Sequence, residues 1–118
     1  MDIYQENILD HHKNPRNWGE LDKPDYILKS SNSSCGDLVQ IQLKVKDDKI
    51  VEVKQKTLGC ALSTSSASIL SEKLVGMKLT DALKITSDDL LGELGIEVSP
   101  SRLKCALLPL DALKQIEK

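Results

Sequence analysis

The chain has 118 residues, of which 40% are hydrophobic and 29% are charged, and its formal net charge is -2. This length suits one domain that buries its own core, and the composition is that of an ordinary globular protein. The small net charge argues against a nucleic-acid-binding surface, and the sequence has no apolar run long enough to cross a membrane.

The N-terminal residues predict a short helix and not a secretory signal. Asp2 can cap a helix that runs to about His12, and Asn14 ends it because the residue before Pro15 resists helical geometry. His11 and His12 are expected to have surface or packing roles and not to bind metal. No basic stretch followed by an apolar run is present, so we expect a cytoplasmic protein whose cysteines stay reduced.

Three neighbouring strands are predicted between residues 26 and 56. Residues 39–45 alternate apolar and polar side chains with a period of two, which is typical of a half-buried strand. Residues 26–30 form a strand before it, and residues 50–56 form one after a turn at 47–48. The one-sided pattern predicts an antiparallel meander that is covered on one face.

The rest of the chain predicts helices. The helix at 61–75 is rich in serine, a poor helix former, so packing against other elements must stabilise it. Thr80 and Ser87 are predicted as N-caps of two short helices, and Ser99 as the cap of a last helix that Pro109 interrupts. Strands followed by helices indicate an α+β fold, a three-stranded antiparallel sheet with helices packed on one face.

The three cysteines fall at junctions or away from apolar patterns. Cys35 lies in a predicted loop, where Gly36 permits a tight turn. Cys60 follows the third strand and opens a helix, where the positive end of the helix dipole stabilises a thiolate. Cys105 is offset by two residues from a leucine stripe, which predicts that it lies on the open face of the last helix. Each cysteine alone could be a small buried apolar side chain, and their spacing does not establish a metal site.

Four short motifs occur around these cysteines and near the N-terminus. They are DHHKNPRNWG at 10–19, NSSCGD at 32–37, GCA at 59–61 before the serine-rich helix, and RLKCA at 102–106. In this order, and over nearly the whole chain, they resemble the IscU, SufU and NifU N-terminal family of iron–sulfur cluster assembly scaffolds. The resemblance implies the IscU-like α+β fold.

The resemblance also implies a ligand set, namely Cys35, Asp37, Cys60 and Cys105, with Cys105 as the acceptor of sulfur. Thiolates are soft ligands that bind zinc, iron and iron–sulfur clusters, so the implied cofactors are a transient 2Fe–2S cluster, iron and zinc. The implied partners are a cysteine desulfurase and apo iron–sulfur acceptor proteins, and the chain itself is expected to be a scaffold and not an enzyme. Asp37 could instead be a turn residue that caps its own loop.

Two departures from the family pattern leave open whether the chain is more similar to the IscU-like or to the SufU-like branch. Lys104 stands where IscU-like members often carry His, which is more similar to the SufU-like branch. The insertion that SufU-like members carry between the second and third cysteine motifs is missing, which is similar to IscU-like members. Residues 98–102 (VSPSR) replace the Pro-Pro-Val-Lys motif by which IscU-like scaffolds engage a specialised Hsp70 chaperone, so this chaperone is not expected as a partner.

Three functions therefore remain as alternatives. The first is a scaffold that accepts sulfur from a desulfurase, binds iron and passes on a cluster. The second is a SufU-like zinc protein that only accepts sulfur from the desulfurase, which Lys104 favours. The third is a structural zinc domain that mediates protein contacts, although closed structural zinc sites are normally built from Cys and His and not from Asp.

Overall fold

The computed structural model describes residues 3–32, 36–95 and 98–117. Its elements in chain order are α1 (Ile3–Lys13), β1 (Tyr26–Asn32), β2 (Asp37–Lys46), β3 (Lys49–Leu58), α2 (Ala61–Leu74), α3 (Leu79–Ala82), α4 (Ser87–Leu94) and α5 (Leu103–Leu113). Short 3-10 turns at Pro100–Arg102 and Lys114–Glu117 flank α5. No helix in these ranges is both long and apolar enough to span a lipid bilayer.

The three strands form an antiparallel sheet in the order β1-β2-β3, as predicted. Asp47 and Asp48 make the tight turn between β2 and β3, with φ angles of 52° and 64°. At the opposite end of the sheet, Asn32 of β1 pairs with Asp37, the first residue of β2. The end of β3 lies beside the same position, because Leu38 pairs with Leu58. The sheet therefore brings the start of β2 next to the segment that leads into α2.

One face of the sheet is buried under α2 and α5, which confirms the predicted α+β architecture. Helix α5 packs on β1 and β2, while α2 packs on β3. The alternating residues Val39, Ile41 and Leu43 are at most 2% exposed and belong to one apolar cluster with residues of both helices. Each such side chain contributes about 1.5–3 kcal/mol when it is fully buried, so this layer supplies much of the stability.

Helix α2 lies between α1 and α5 and is buried through polar side chains. Hydrogen bonds from these hydroxyls tie α2 to its neighbours, since Ser65 donates to the carbonyl of Ile8 on α1 and Ser66 donates to the carbonyl of Ala106 on α5. Small side chains allow the helices to approach closely enough for these bonds. The buried hydroxyl residues are Ser63, Thr64, Ser65, Ser66, Ser68 and Ser71.

Two of the predicted caps were wrong. Thr80 lies inside α3, and its hydroxyl donates to the Asp48 carboxylate. The cap of α4 is Thr86, one residue before the predicted Ser87, because its hydroxyl accepts the backbone N–H of Asp89 while the Asp89 carboxylate accepts the N–H of Thr86. This reciprocal arrangement is a capping box, which a Ser or Thr makes with an acidic residue three positions later.

Two predictions for the last helix were wrong, one about Pro109 and one about Cys105. It begins with the 3-10 turn that Ser99 precedes, and α5 then continues through Pro109 without the predicted interruption. Cys105 does not lie on an open face, since it is only 4% exposed, whereas Leu103 and Leu107 are partly exposed. The reason is that α5 packs against both the sheet and α2, so it buries a wider face than a single leucine stripe.

Candidate metal centre

Three of the four predicted ligands meet at the end of the sheet where β2 begins. A carboxylate oxygen of Asp37 and the sulfur atoms of Cys60 and Cys105 all lie within 4.8 Å of one another. Asp37 is the first residue of β2, Cys60 is the N-cap of α2, and Cys105 lies in the first turn of α5. The fourth predicted ligand, Cys35, lies outside the described residues.

Two helices begin at this cluster of side chains. Cys60 has the extended conformation of an N-cap, with φ -72° and ψ 169°, so it opens α2 as predicted. Cys105 is the third residue of α5. The first turn of a helix has free backbone N–H groups and the positive end of the helix dipole, and both favour negative charge. The start of α2 beside Cys60 therefore favours negative charge, whereas at the start of α5 the N–H of Leu103 already donates to the Ser99 carbonyl.

Hydrogen bonds surround the buried carboxylate of Asp37, which is only 3% exposed. The hydroxyl of Ser63 donates to Oδ2 at 2.6 Å, and the Cys60 thiol lies 3.7 Å from the same oxygen. Burial by itself raises the pKa of Asp37, but hydrogen bonds from Ser63, Cys105 and Cys60 outweigh it, so the pKa lies below its usual value. At neutral pH the side chain is therefore an anionic oxygen ligand, and these partners all lie on other elements of the fold.

Gly59 allows the Asp37 carboxylate to occupy this position. A Cβ atom on residue 59 would lie 2.5 Å from Oδ1 and 2.6 Å from Cγ of Asp37, well inside van der Waals contact. Glycine has no Cβ, so the backbone before Cys60 can pass directly over the carboxylate. The sequence motif placed Gly59 next to Cys60, but it gave no indication that the neighbour requiring glycine is Asp37.

Ser63 contacts the candidate site, although the sequence did not single it out. It is fully buried, and its hydroxyl contacts both the Asp37 carboxylate and the backbone carbonyl of Cys105. One signal was available, because residues i and i+3 share a helix face and Ser63 lies three positions after Cys60. That signal was hidden, since the helix contains several other serines at similar spacings.

The donor set fits a metal ion. A tetrahedral ion with ligand bonds of the usual length holds its ligand atoms about 3.3–3.8 Å apart. The distance of 3.7 Å between Cys60 Sγ and Asp37 Oδ2 already lies in this range. The three ligand atoms lie within 4.8 Å of one another, so a movement of about 1 Å brings them to the distances of a metal-bound set. Two soft sulfur ligands with one harder oxygen ligand suit zinc or iron.

Comparison with known proteins identifies the family of the chain. The family model described as NifU-like N terminal domain matches residues 3–117. The chain belongs to this family. The iron–sulfur cluster assembly scaffold protein IscU of Escherichia coli K12 is 36% identical to this NifU-like chain over 115 residues, which cover 94% of the chain and 88% of IscU.

Two further relatives of the NifU-like chain carry the name of cluster assembly scaffolds. The iron–sulfur cluster assembly scaffold protein IscU 1 of Archaeoglobus fulgidus is 36% identical over 113 residues, covering 96% of this chain and 73% of that protein. A crystal structure from Fervidobacterium islandicum, described as a cluster assembly scaffold for the SUF system, has a TM-score of 0.77 and 26% identity and covers 93% of each chain. Both IscU and SufU proteins are thus among its relatives.

Two further residues singled out in the sequence, Lys104 and His11, are placed by the structure as follows. The side chain of Lys104, where IscU-like members often carry His, is exposed to solvent. His11 is 4% exposed and packs between α1 and α2, with Nδ1 2.7 Å from the Ser68 hydroxyl and Nε2 3.4 Å from the Glu72 carboxylate. Burial, and secondly the charge of Arg16, lower the pKa of His11, so the imidazole is neutral at neutral pH.

Proposed function

We propose that this chain is a scaffold that accepts sulfur from a cysteine desulfurase, binds iron, and transfers a 2Fe–2S cluster to acceptor proteins in the cytoplasm. The observation that carries the proposal is the convergence of Asp37, Cys60 and Cys105 at the starts of two helices. Cys35, two residues before Asp37 in the chain, is the fourth proposed ligand. Three thiolates and one carboxylate give the four ligands that a small cluster requires.

Sulfur delivery to Cys105 is a thiol exchange in which atoms and charge balance. The Cys105 thiolate attacks the outer sulfur of the desulfurase persulfide, a new S–S bond forms on Cys105, and the desulfurase cysteine leaves as a thiolate. In the conformation described, Cys105 is 4% exposed and Cys60 is only partly buried. Sulfur transfer to Cys105 therefore requires the site to open, and the more exposed Cys60 is the alternative acceptor.

The carboxylate of Asp37 supports a role in transfer. An oxygen ligand binds iron less firmly than a fourth sulfur ligand would, because the soft thiolate suits iron–sulfur clusters better. A site with one weaker ligand can release its cluster when an acceptor protein offers its own cysteines. We therefore expect the Asp37→Cys variant, whose fourth ligand is a thiolate, to assemble a cluster and to hold it longer than the wild-type protein in the presence of an apo-ferredoxin.

Reconstitution tests the scaffold function. The protein is incubated anaerobically with ferrous iron, cysteine and a cysteine desulfurase, and visible absorption, iron and sulfide are measured before and after addition of an apo-ferredoxin. The scaffold proposal expects a 2Fe–2S chromophore that moves to the ferredoxin. Trapping of persulfides by alkylation and mass spectrometry, in the Cys60→Ser and Cys105→Ser variants, identifies the acceptor cysteine.

A matched control separates the role of Asp37 from a general effect of removing an aspartate. Asp25 also accepts a hydrogen bond, from the backbone N–H of Val45, but it lies in the segment before β1. The Asp25→Cys variant should release its cluster at the wild-type rate, whereas Asp37→Cys should release it more slowly. Equal release rates in all three proteins would contradict the role proposed for Asp37.

A zinc-dependent sulfur acceptor is the second candidate function. The observation that favours it is Lys104, which takes the place of the histidine often found in IscU-like members and points to solvent. In this case the protein would hold zinc, accelerate the desulfurase, and form no cluster. Zinc that resists displacement by iron, together with faster desulfurase turnover, would support this function over the scaffold. Zinc with no effect on the desulfurase would instead indicate a structural zinc domain.

A further inference from the structure

We propose that Ser63 is a positioning residue of the metal centre, whose hydroxyl holds the Asp37 carboxylate in place for metal binding and links it to the start of α5. This inference rests on the proposed metal-binding function, and it adds a residue that is not itself a ligand. Residues that hydrogen-bond to a ligand commonly fix its orientation and tune its strength.

The position of the Ser63 hydroxyl is the first support. Oγ lies 2.6 Å from Oδ2 of Asp37, 3.3 Å from the backbone carbonyl oxygen of Cys105 and 3.6 Å from Sγ of Cys60. It therefore touches a side-chain or backbone atom of each of the three described ligand residues. A hydroxyl has a single proton to donate, so the short contact to the carboxylate is the main hydrogen bond and the carbonyl contact is secondary.

Pro109 affects the carbonyl of α5 that lies against this hydroxyl. In a regular helix the carbonyl of Cys105 accepts the N–H of the residue four positions later, which is residue 109. Proline has no N–H, so this ladder bond is missing although α5 continues through Pro109. The Ser63 hydroxyl lies against this same carbonyl. Ser63 of α2 thus offers a hydrogen-bond donor to the carbonyl of α5 to which Pro109 has no N–H to donate.

The two oxygen atoms of the Asp37 carboxylate have different neighbours. Ser63 engages Oδ2, whereas Oδ1 lies over Gly59, where the absence of a Cβ leaves room. Without the hydroxyl, the carboxylate loses the bond that sets its rotation. We therefore expect removal of the hydroxyl to weaken metal binding by about 10–100-fold, the usual effect of losing an outer hydrogen bond to a ligand.

Cobalt(II) binding tests the inference without any cluster or desulfurase. Co²⁺ alone is titrated anaerobically into metal-free wild-type, Ser63→Ala and Ser66→Ala proteins, and the dissociation constant and the visible spectrum are recorded. Ser66 is the matched control, because it is equally buried on the same helix but its hydroxyl donates to the carbonyl of Ala106 on α5 and not to the Asp37 carboxylate. The inference expects weaker Co²⁺ binding and altered d–d bands for Ser63→Ala only.

The outcomes separate this inference from the proposed function. If the wild-type protein binds no Co²⁺, the metal-binding function itself fails. If the wild-type and Ser63→Ala proteins bind Co²⁺ equally and give the same spectrum, or if Ser63→Ala and Ser66→Ala lose affinity alike, Ser63 is only structural and the inference is wrong. Should Ser63→Ala not fold, Ser63→Thr and Ser63→Val are compared, since they share a shape and differ in the hydroxyl. Tighter binding by the Thr variant supports the inference, and equal binding overturns it.

Discussion

Replacing Gly59 by alanine tests how tightly the candidate site is packed. The added Cβ would lie 2.5 Å from Oδ1, 2.6 Å from Cγ and 3.0 Å from Cβ of Asp37. These contacts are with a side chain that is buried and hydrogen-bonded to Ser63, so the carboxylate cannot swing away without breaking that bond. Either the backbone at residue 59 or the Asp37 side chain must shift.

The magnitude follows from the two costs that this shift combines. Overpacking of a well-packed site costs about 1–3 kcal/mol. A weakened hydrogen bond to the charged carboxylate adds about 1 kcal/mol, part of the 1.5–3 kcal/mol that such bonds contribute. We therefore expect Gly59→Ala to lower the free energy of unfolding of the metal-free protein by about 2–4 kcal/mol, a large part of the 5–15 kcal/mol typical of a domain.

Urea unfolding of four proteins measures the effect and its cause. They are the wild-type protein, Gly59→Ala, Asp37→Ala and the double variant, all in the presence of EDTA. Asp37→Ala removes the two closest clashing atoms and leaves only its Cβ at 3.0 Å, so the cost of Gly59→Ala should fall by at least about 1 kcal/mol in that background. A Gly59→Ala cost below about 0.5 kcal/mol, or an equal cost in both backgrounds, would refute the close approach of Gly59 and Asp37.

Three further predictions concern other parts of the molecule. The pKa of His11 is lower in the folded protein than in the unfolded chain, so as the pH falls the unfolded chain binds a proton before the folded protein does. The contribution of His11 to the free energy of unfolding is therefore fully present above about pH 6.5 and declines below it. The urea midpoint of the metal-free protein should therefore drop between pH 7.5 and pH 5.5, and by less in His11→Gln. Gly92→Ala should raise the free energy of unfolding by about 0.5–1 kcal/mol, because its Cβ meets no atom within 4 Å in α4; a destabilised variant would argue against that geometry. Zinc at 100 times its dissociation constant should stabilise the protein by about 2.7 kcal/mol in urea unfolding, and the gain should shrink in Cys60→Ser and vanish with excess EDTA.

The strands could be predicted from the sequence because their signal is local. Val39, Ile41 and Leu43 alternate with polar residues, and the two aspartates at 47–48 mark a tight turn, so neighbouring residues alone indicate the hairpin. Helix starts were predicted less well. Ser87 and Thr86 are both acceptable caps, and only the side-chain contact with Asp89 decides between them.

The orientation of Cys105 shows where local patterns stop being informative. A leucine stripe predicts a buried face for a helix that packs against one neighbour, but α5 packs against the sheet and α2 together. The same limit applies to the site. The motifs indicated Asp37 and the cysteines, whereas the contacts of Ser63 and Gly59 with Asp37 join residues more than 20 positions apart. Contacts of this kind depend on how helices and strands pack against each other, and the periodicity of apolar residues along the sequence does not predict that packing.

The serine-lined packing of α2 has a consequence for the mobility of its neighbours. Helix α1 is attached to it in part through directional bonds, such as those from Ser65 to the Ile8 carbonyl and between Ser68 and His11. Water can replace hydroxyl groups as a partner of carbonyls and imidazoles, whereas it offers nothing in exchange for a lost apolar contact. Detaching α1 therefore costs less than opening the leucine and isoleucine layer on the sheet. The amide protons of α1 should accordingly exchange with solvent through a local opening, while those of β2 should exchange only when the whole protein unfolds.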